Sequence, residues 1–200
     1  DPSELPMMHS VAVSKTNAIL AFEDVSFGYT TEKTMLSHLS FSLEAGNTYA
    51  LVGPTGGGKT TTASLMARLY DPTEGRITLE GKDIRSYGDE ERTARVGFIL
   101  QEPFLFSGTL LENIFYGSKE AATCSLEEKT KQLSAAGFDH LLARFEGGLE
   151  QVIVPGGDVM SLGQRQLIAF MRAVLRKPDV LILDEATANI DTVTEQLLEE

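Results

Sequence analysis

Cysteine and positive charge are what this sequence has least of. Cys124 is the single cysteine in 200 residues, which excludes an internal disulfide and suits a reducing compartment. Lysine and arginine number 17 against 29 acidic residues, a net charge of −12. That balance argues against a general nucleic-acid surface, where a basic patch is expected. It leaves nucleotide binding open, because phosphate recognition needs only local positive potential. No apolar run approaches the ~18 residues that a membrane-spanning helix requires, and the polar opening DPSELPMMHS, with two prolines, is no signal peptide. There is no internal repeat and no low-complexity tract. At 42% hydrophobic and 23% charged residues, the chain can bury the core of one domain, with room for a subdomain.

Glycine, by contrast, is concentrated in one place. GPTGGGKTTT, residues 53–62, holds Gly53, four further positions, then Gly58, Lys59 and Thr60, the spacing of a phosphate-binding loop. Glycines allow successive N–H groups to point into one concavity that accepts anionic oxygens. Lys59 adds a full charge for the outer phosphates, and the Thr60 hydroxyl is a hard oxygen suited to Mg²⁺. Before the loop, TYALVG reads as a short buried strand. After it, TTTASLMARLY places Ala63, Leu65, Met66 and Leu69 at roughly helical spacing. A helix starting near Thr60 would aim its positive end at the phosphates.

Residues 19–50 read as β-rich. Val25, Phe27 and Tyr29 alternate, as do Leu39, Phe41 and Leu43, and Ile77 and Leu79 lie between turn-type glycines; this is the pattern of an antiparallel sheet buried on one face. VGFILQ, 96–101, is a solid apolar run ending in Gln101. Residues 109–146 read as mostly helical, with Gly117 and Gly137 as breaks. GQRQLIAFMRAVLRKP, 163–178, is a helix with Leu167, Ile168, Met171, Val174 and Leu175 on one stripe, basic residues at its C-terminal end and Pro178 as its stop. VLILDEA, 180–186, is an apolar strand closed by two carboxylates. Strand, phosphate loop, helix and a later strand ending in acid make an α/β core, flanked by the β-rich piece and a helical insertion.

Several side chains fit chemistry at that core. Asp184, at the carboxyl edge of a sheet, can hold Mg²⁺ directly or through water, and Glu185 can polarise an attacking water. The neutral amide of Gln101 can reach the metal or the water, or simply cap its strand. Tyr29 can stack on a purine, or be the last aromatic of a half-buried strand. In SLGQRQ, 161–166, Ser161 and Gly163 offer a hydroxyl and N–H groups at a helix start; a plain helix cap would also explain Ser161.

In this order, Tyr29, GPTGGGKTT, Gln101, SLGQRQ, LILDEAT and ANID, the chain resembles the nucleotide-binding domain of ATP-binding cassette (ABC) transporters from about residue 20 onward. FILQEPFLFSGTLLENI, 98–114, is similar to the exporter branch, in which the domain follows a membrane-spanning half of the same polypeptide. The resemblance implies a P-loop NTPase core with an N-terminal antiparallel β subdomain and an inserted α-helical subdomain at about 102–176, after a linker at 1–18. It implies ATP and Mg²⁺ as ligands, two such domains closing head to tail, and a place on the cytoplasmic face of a membrane. Tyr29 would stack on adenine; Gly53, Gly56, Gly58, Lys59, Thr60 and Thr61 would hold phosphates; Thr60, Gln101 and Asp184 would surround Mg²⁺; Glu185 would be the catalytic base. Ser161, Gly163 and Gln164 would face the γ-phosphate of the partner's ATP, Asp191 would lie in the loop crossing the interface, and residues 102–115 would touch the membrane domain.

The sequence also departs from that pattern. Leu162 stands at the first glycine of the family's commonest L-S-G-G-Q signature, and Pro155 stands near where many exporters place a glutamate. The family's switch histidine lies one helix and one strand beyond ANID, whereas this sequence ends at Glu200 and His9, His38 and His140 lie elsewhere. The expectation is a longer native protein whose sheet gains a further strand. Two other readings remain: a stand-alone ABC-type ATPase without a membrane partner, and a non-hydrolysing ATP-binding half of a heterodimer.

Overall fold

The computed structural model describes residues 18–30, 33–118, 120–154 and 160–184. Glu185, Asp191, Pro155 and nearly all of the expected linker lie outside the described residues. The chain divides into two units, residues 1–93 and 94–200.

The first unit is built on a four-stranded sheet of order β2-β1-β3-β4, from β1 (Ala18–Phe27), β2 (Leu36–Glu44), β3 (Glu74–Leu79) and β4 (Lys82–Asp83). Its pairings are antiparallel, as the alternating residues predict. The one-face pattern does not hold along β1, where Leu20, Ala21 and Phe22 are all buried, as are Val25, Ser26 and Phe27. Two causes act. β1 is central, and it carries a bulge: Phe22 pairs with Phe41 and Val25 with Leu39, one residue more on β1 than on β2. Asp24, inside that bulge, has φ 51°, and the extra residue shifts the alternation by one place. Glu80 and Gly81, both at positive φ, close the β3–β4 hairpin in two residues, the turn geometry that matches strand twist.

Helix α2 (Asp89–Arg95) follows β4, and between β2 and β3 lies helix α1 (Lys59–Met66). It ends earlier than the stripe of apolar residues suggests. Ala67 caps it, Arg68 turns left-handed at φ 52°, Leu69 N–H donates to Ser64 O at 2.8 Å and Arg68 N–H to Leu65 O at 3.0 Å. This paired closure terminates a helix, so Leu69 leaves the stripe and is exposed. The expected strand over TYALVG is also corrected. Residues 48–54 are irregular and Val52 is 84% exposed. A strand exists only where a neighbour supplies ladder bonds, and none of the described residues pairs with this segment. Tyr49 is instead held locally, its hydroxyl accepting from Glu44 N–H at 2.9 Å.

In the second unit, β5 (Val96–Ile99) and β8 (Val180–Leu183) run parallel, with Ile99 opposite Leu183, and Arg95 pairs with Asp179 at 3.1 Å just before the two strands begin. Helices α3 (Leu110–Ile114), α4 (Leu126–Ala135), α5 (Asp139–Leu142) and α6 (Leu162–Leu175) share their core, with a small antiparallel pair, β6 (Gly108–Thr109) and β7 (Val152–Ile153). That core includes Leu110, Ile114, Leu133, Phe138, Leu141, Leu167, Ile168 and Met171. Val174 and Leu175 of the α6 stripe are only partly buried. Gly117 and Gly137 break the helices as expected, at φ 76° and 73°. α6 ends at Arg176, with Lys177 at φ 50° before Pro178.

Candidate functional site

The functional side chains fall in both units. In the first, the glycine loop turns through a Gly57 N–H to Pro54 O bond of 3.0 Å, and Gly56 and Gly58 take φ 79° and 85°. Gly58 is the N-cap of α1, and its φ of 85° is what demands glycine there; a Cβ would also press on the end of the Leu36 side chain, 2.7 Å away. Lys59 opens the helix. Its Nζ donates to Gly53 O and Pro54 O, each at 2.9 Å, so the ammonium ties the start of the loop to the helix it leads into. The first turn of α1 holds no acidic residue. N–H groups, helix dipole and lysine charge there all favour an anion.

Tyr29 lies in a bend beyond the end of β1, not in the strand. Its hydroxyl shares a 3.1 Å hydrogen bond with Thr61 Oγ1, and Thr61 is buried in the first turn of α1. The ring is half exposed, at 50%. The aromatic residue and the phosphate loop, well apart in sequence, are thus linked by one hydrogen bond. Thr60 is exposed beside it.

In the second unit, Gln101 and Asp184 follow the carboxyl ends of the paired strands β5 and β8, and Asp184 N–H donates to Ile99 O at 3.1 Å. This is the sheet edge at which ligands of open α/β sheets bind. A side-chain amide oxygen and a carboxylate leaving the same end of a strand pair are the hard donors that suit Mg²⁺. The main chain at Gln101 is held by the last residue of SLGQRQ, to which the sequence assigned no role: Gln166 Nε2 donates to Gln101 O at 3.0 Å, and Gln166 is 1% exposed.

The start of α6 is a capping box. Ser161 Oγ accepts from Gln164 N–H at 3.1 Å, and Gln164 Oε1 accepts from Ser161 N–H at 3.1 Å. The plain cap is therefore present, and it uses only a lone pair of the serine. The hydroxyl hydrogen is not engaged by it, so capping and anion donation are compatible. Gln164 Nε2 also donates to Arg144 O at 3.2 Å. Gly163 follows in the first turn, partly buried.

Segment 102–115 carries an aromatic face. Phe104 is 67% exposed, and Phe106 stacks on Tyr116 at 3.6 Å. Beneath it Arg172 of α6 donates to Asn113 O at 2.8 Å and Phe104 O at 3.1 Å, with its guanidinium 5.6 Å from the Phe106 ring centre and 5.7 Å from that of Tyr116. Burial, and then the nearby Arg176 charge, lower the pKa of Arg172 from its usual value. The buried Asn113 closes the arrangement, accepting from Phe106 N–H at 2.8 Å and donating to Phe106 O at 2.9 Å. Arg172 and Asn113 were also missed in sequence, where both read as ordinary helix residues.

Comparison with known proteins accords with these motifs. The ABC transporter family profile matches residues 36–188. The ABC transporter ATP-binding protein YfiC of Bacillus subtilis (strain 168) is 45% identical over 181 residues, 90% of this chain and 30% of that protein. The fatty acid ABC transporter ATP-binding/permease protein of Mycobacterium bovis is 38% identical over 199 residues, 100% of this chain and 31% of that protein. Among solved structures, a bacterial Atm1-family ABC exporter with ATP bound matches with a TM-score of 0.77 at 34% identity, over 98% of this chain and 34% of that one. The chain thus spans about a third of the length of these relatives.

Proposed function

The chain belongs to the ABC transporter family, and from that premise we propose that it binds and hydrolyses MgATP as the ATPase domain of an exporter. The observation that carries the reading is Lys59, held across the mouth of the glycine loop at the start of a helix without first-turn acid. Gly53, Gly56, Gly58, Lys59, Thr60 and Thr61 receive the phosphates, and Tyr29 stacks on adenine. Thr60, Gln101 and Asp184 are the oxygen donors for Mg²⁺, which supplies charge neutralisation on the phosphates when bound. Glu185, adjacent in sequence to Asp184, takes the proton of the attacking water.

In this reading two copies, identical or homologous, close head to tail. Ser161, Gly163 and Gln164 of each face the γ-phosphate held by the other, and Asp191 lies at their interface. Residues 102–176 act as an inserted helical subdomain of a domain covering 19–200, with 1–18 as linker. The exposed Phe104 and the stacked Phe106 and Tyr116 support a docking face for a transmembrane domain. The similarity to an ATP-binding/permease protein supports that domain's lying in the same polypeptide, and a place on the cytoplasmic face of a membrane. Among the described residues no helix is long and apolar enough to cross a membrane.

Steady-state ATPase activity and MgATP affinity of the full-length protein and of Glu185→Gln test the reading. The expected result is retained affinity with turnover lowered about 10²–10⁴-fold. A wild type that binds MgATP without turning it over would favour the non-hydrolysing role; unchanged turnover in the variant would remove Glu185 from the chemistry.

A further inference from the structure

We propose that Tyr70 is a positioning residue for nucleotide binding: it fixes the Tyr29 ring as a platform for the base, while the Tyr29–Thr61 hydrogen bond sets that platform's distance from the phosphate loop. The proposal rests on the ATP-binding reading above and adds to it which residues order the base site before the nucleotide arrives.

Tyr29 has no strand to hold it, since β1 ends at Phe27. Three contacts replace the ladder. The Phe27 and Tyr29 rings pack in a T-shape at 5.0 Å and 83°, and the Tyr70 and Tyr29 rings do so at 5.2 Å and 87°. Its hydroxyl is bonded to Thr61 Oγ1. Tyr70 also touches Phe27, at 5.5 Å, so the three rings form a closed cluster. Edge-to-face contact is the arrangement that aromatic quadrupoles favour, and Tyr29 stays half exposed within the cluster.

Tyr70 is itself placed by backbone geometry. The left-handed turn at Arg68 ends α1 and redirects the chain, and three residues beyond Tyr70 the Thr73 N–H and Oγ1 both donate to Ser26 O, at 2.9 and 2.8 Å. The segment is thereby fastened to β1 next to Phe27. Thr61 belongs to the first turn of α1, the turn whose N–H groups border the loop. One hydroxyl pair therefore connects the base platform to the phosphate-binding helix. A ring already fixed loses little freedom when a base stacks on it, which raises affinity for the base without touching the phosphates.

The test is calorimetric titration of MgATP and of magnesium tripolyphosphate, a ligand with no base, into the full-length protein and the variants Tyr70→Ala, Tyr70→Phe and Tyr29→Phe. Tyr70→Ala is expected to weaken MgATP about 3- to 10-fold and to leave tripolyphosphate within about twofold. Tyr70→Phe keeps the ring and should restore MgATP affinity. Tyr29→Phe keeps the stacking face but cannot bond Thr61, and should weaken MgATP alone, by about threefold. Equal weakening of both ligands in Tyr70→Ala would overturn the proposal, because it would mean a general disturbance of the loop; so would unchanged MgATP affinity. If the wild type binds tripolyphosphate as tightly as MgATP, the base platform fails while the phosphate loop stands. If it binds neither, the ATP reading itself has failed, and the proposal with it.

Discussion

In the proposed site, Lys59 is the side chain on which phosphate recognition would turn, and its environment sets what its loss should do. With Nζ bridging two carbonyls, the ammonium would meet a bound phosphate already positioned. Lys59→Ala should weaken MgATP by roughly 2–5 kcal/mol, the range for truncating one partner of a desolvated charge pair; isothermal titration measures it, and equal affinities would remove Lys59 from the site. Arg172 works differently, as a partly buried donor to two backbone carbonyls. Arg172→Leu removes both hydrogen bonds and should cost about 1–3 kcal/mol in urea unfolding. Asp83 gives a pH effect. Its carboxylate accepts from the Arg85 side chain and N–H, and the side-chain bond to Arg85 is the main cause of its lowered pKa. A lowered folded pKa means that stability is full above the ordinary aspartate pKa of about 3.9 and is lost as pH falls through the lower folded value. Asp83→Asn should therefore flatten the melting temperature against pH below about 4 and weaken the hairpin end at neutral pH.

At the scale of elements, three helices begin with the same device. α3, α4 and α6 each start with a hydroxyl residue, Thr109, Ser125 and Ser161, in a reciprocal capping box with the residue three further on. Removing such a cap costs about 0.5–2 kcal/mol, so Ser125→Ala and Ser161→Ala should destabilise comparably in denaturant titrations. Only Ser161→Ala should also lower ATPase activity if its hydroxyl meets a phosphate; parallel loss in both variants would reduce Ser161 to a cap. Much of this level was legible in sequence. Alternation gave the antiparallel sheet, and helix periodicity with Pro178 gave α6 within a few residues. The bulge at Asp24 was not, because one inserted residue is silent in composition yet reverses which side chains face inward. Nor was the fate of TYALVG, whose apolar residues need a pairing neighbour that no local pattern reveals. Gln166 and Arg172 escaped for a similar reason. Their partners Gln101 and Asn113 are 65 and 59 residues away in sequence, beyond the reach of any motif. The glycine loop and the start of the helix after it were legible because their pattern is local.

For the molecule as a whole, the net charge of −12 bears on pairing. Two copies of such a domain repel at long range, and bound nucleotide adds negative charge. Added salt shortens the range of that repulsion, to ~10 Å at 0.1 M. Association of the Glu185→Gln protein in MgATP should therefore tighten between about 20 and 150 mM salt, read by light scattering; weakening over that range would mean that complementary ion pairs dominate the interface. Helix α6 carries a further mechanical consequence. Its side chains grip the main chain at Gln101, Phe104, Asn113 and, through Arg176, Tyr116, while its first turn holds Ser161 and Gln164. Ser161 and Arg172 are eleven residues apart, about 16 Å along the axis at 1.5 Å per residue. If the aromatic face were pushed so as to tilt this rod by about 5° around Arg172, Ser161 would swing by about 1.4 Å, roughly half the length of a hydrogen bond. A tilt of that size at the aromatic end would suffice to make or break a contact at the far end.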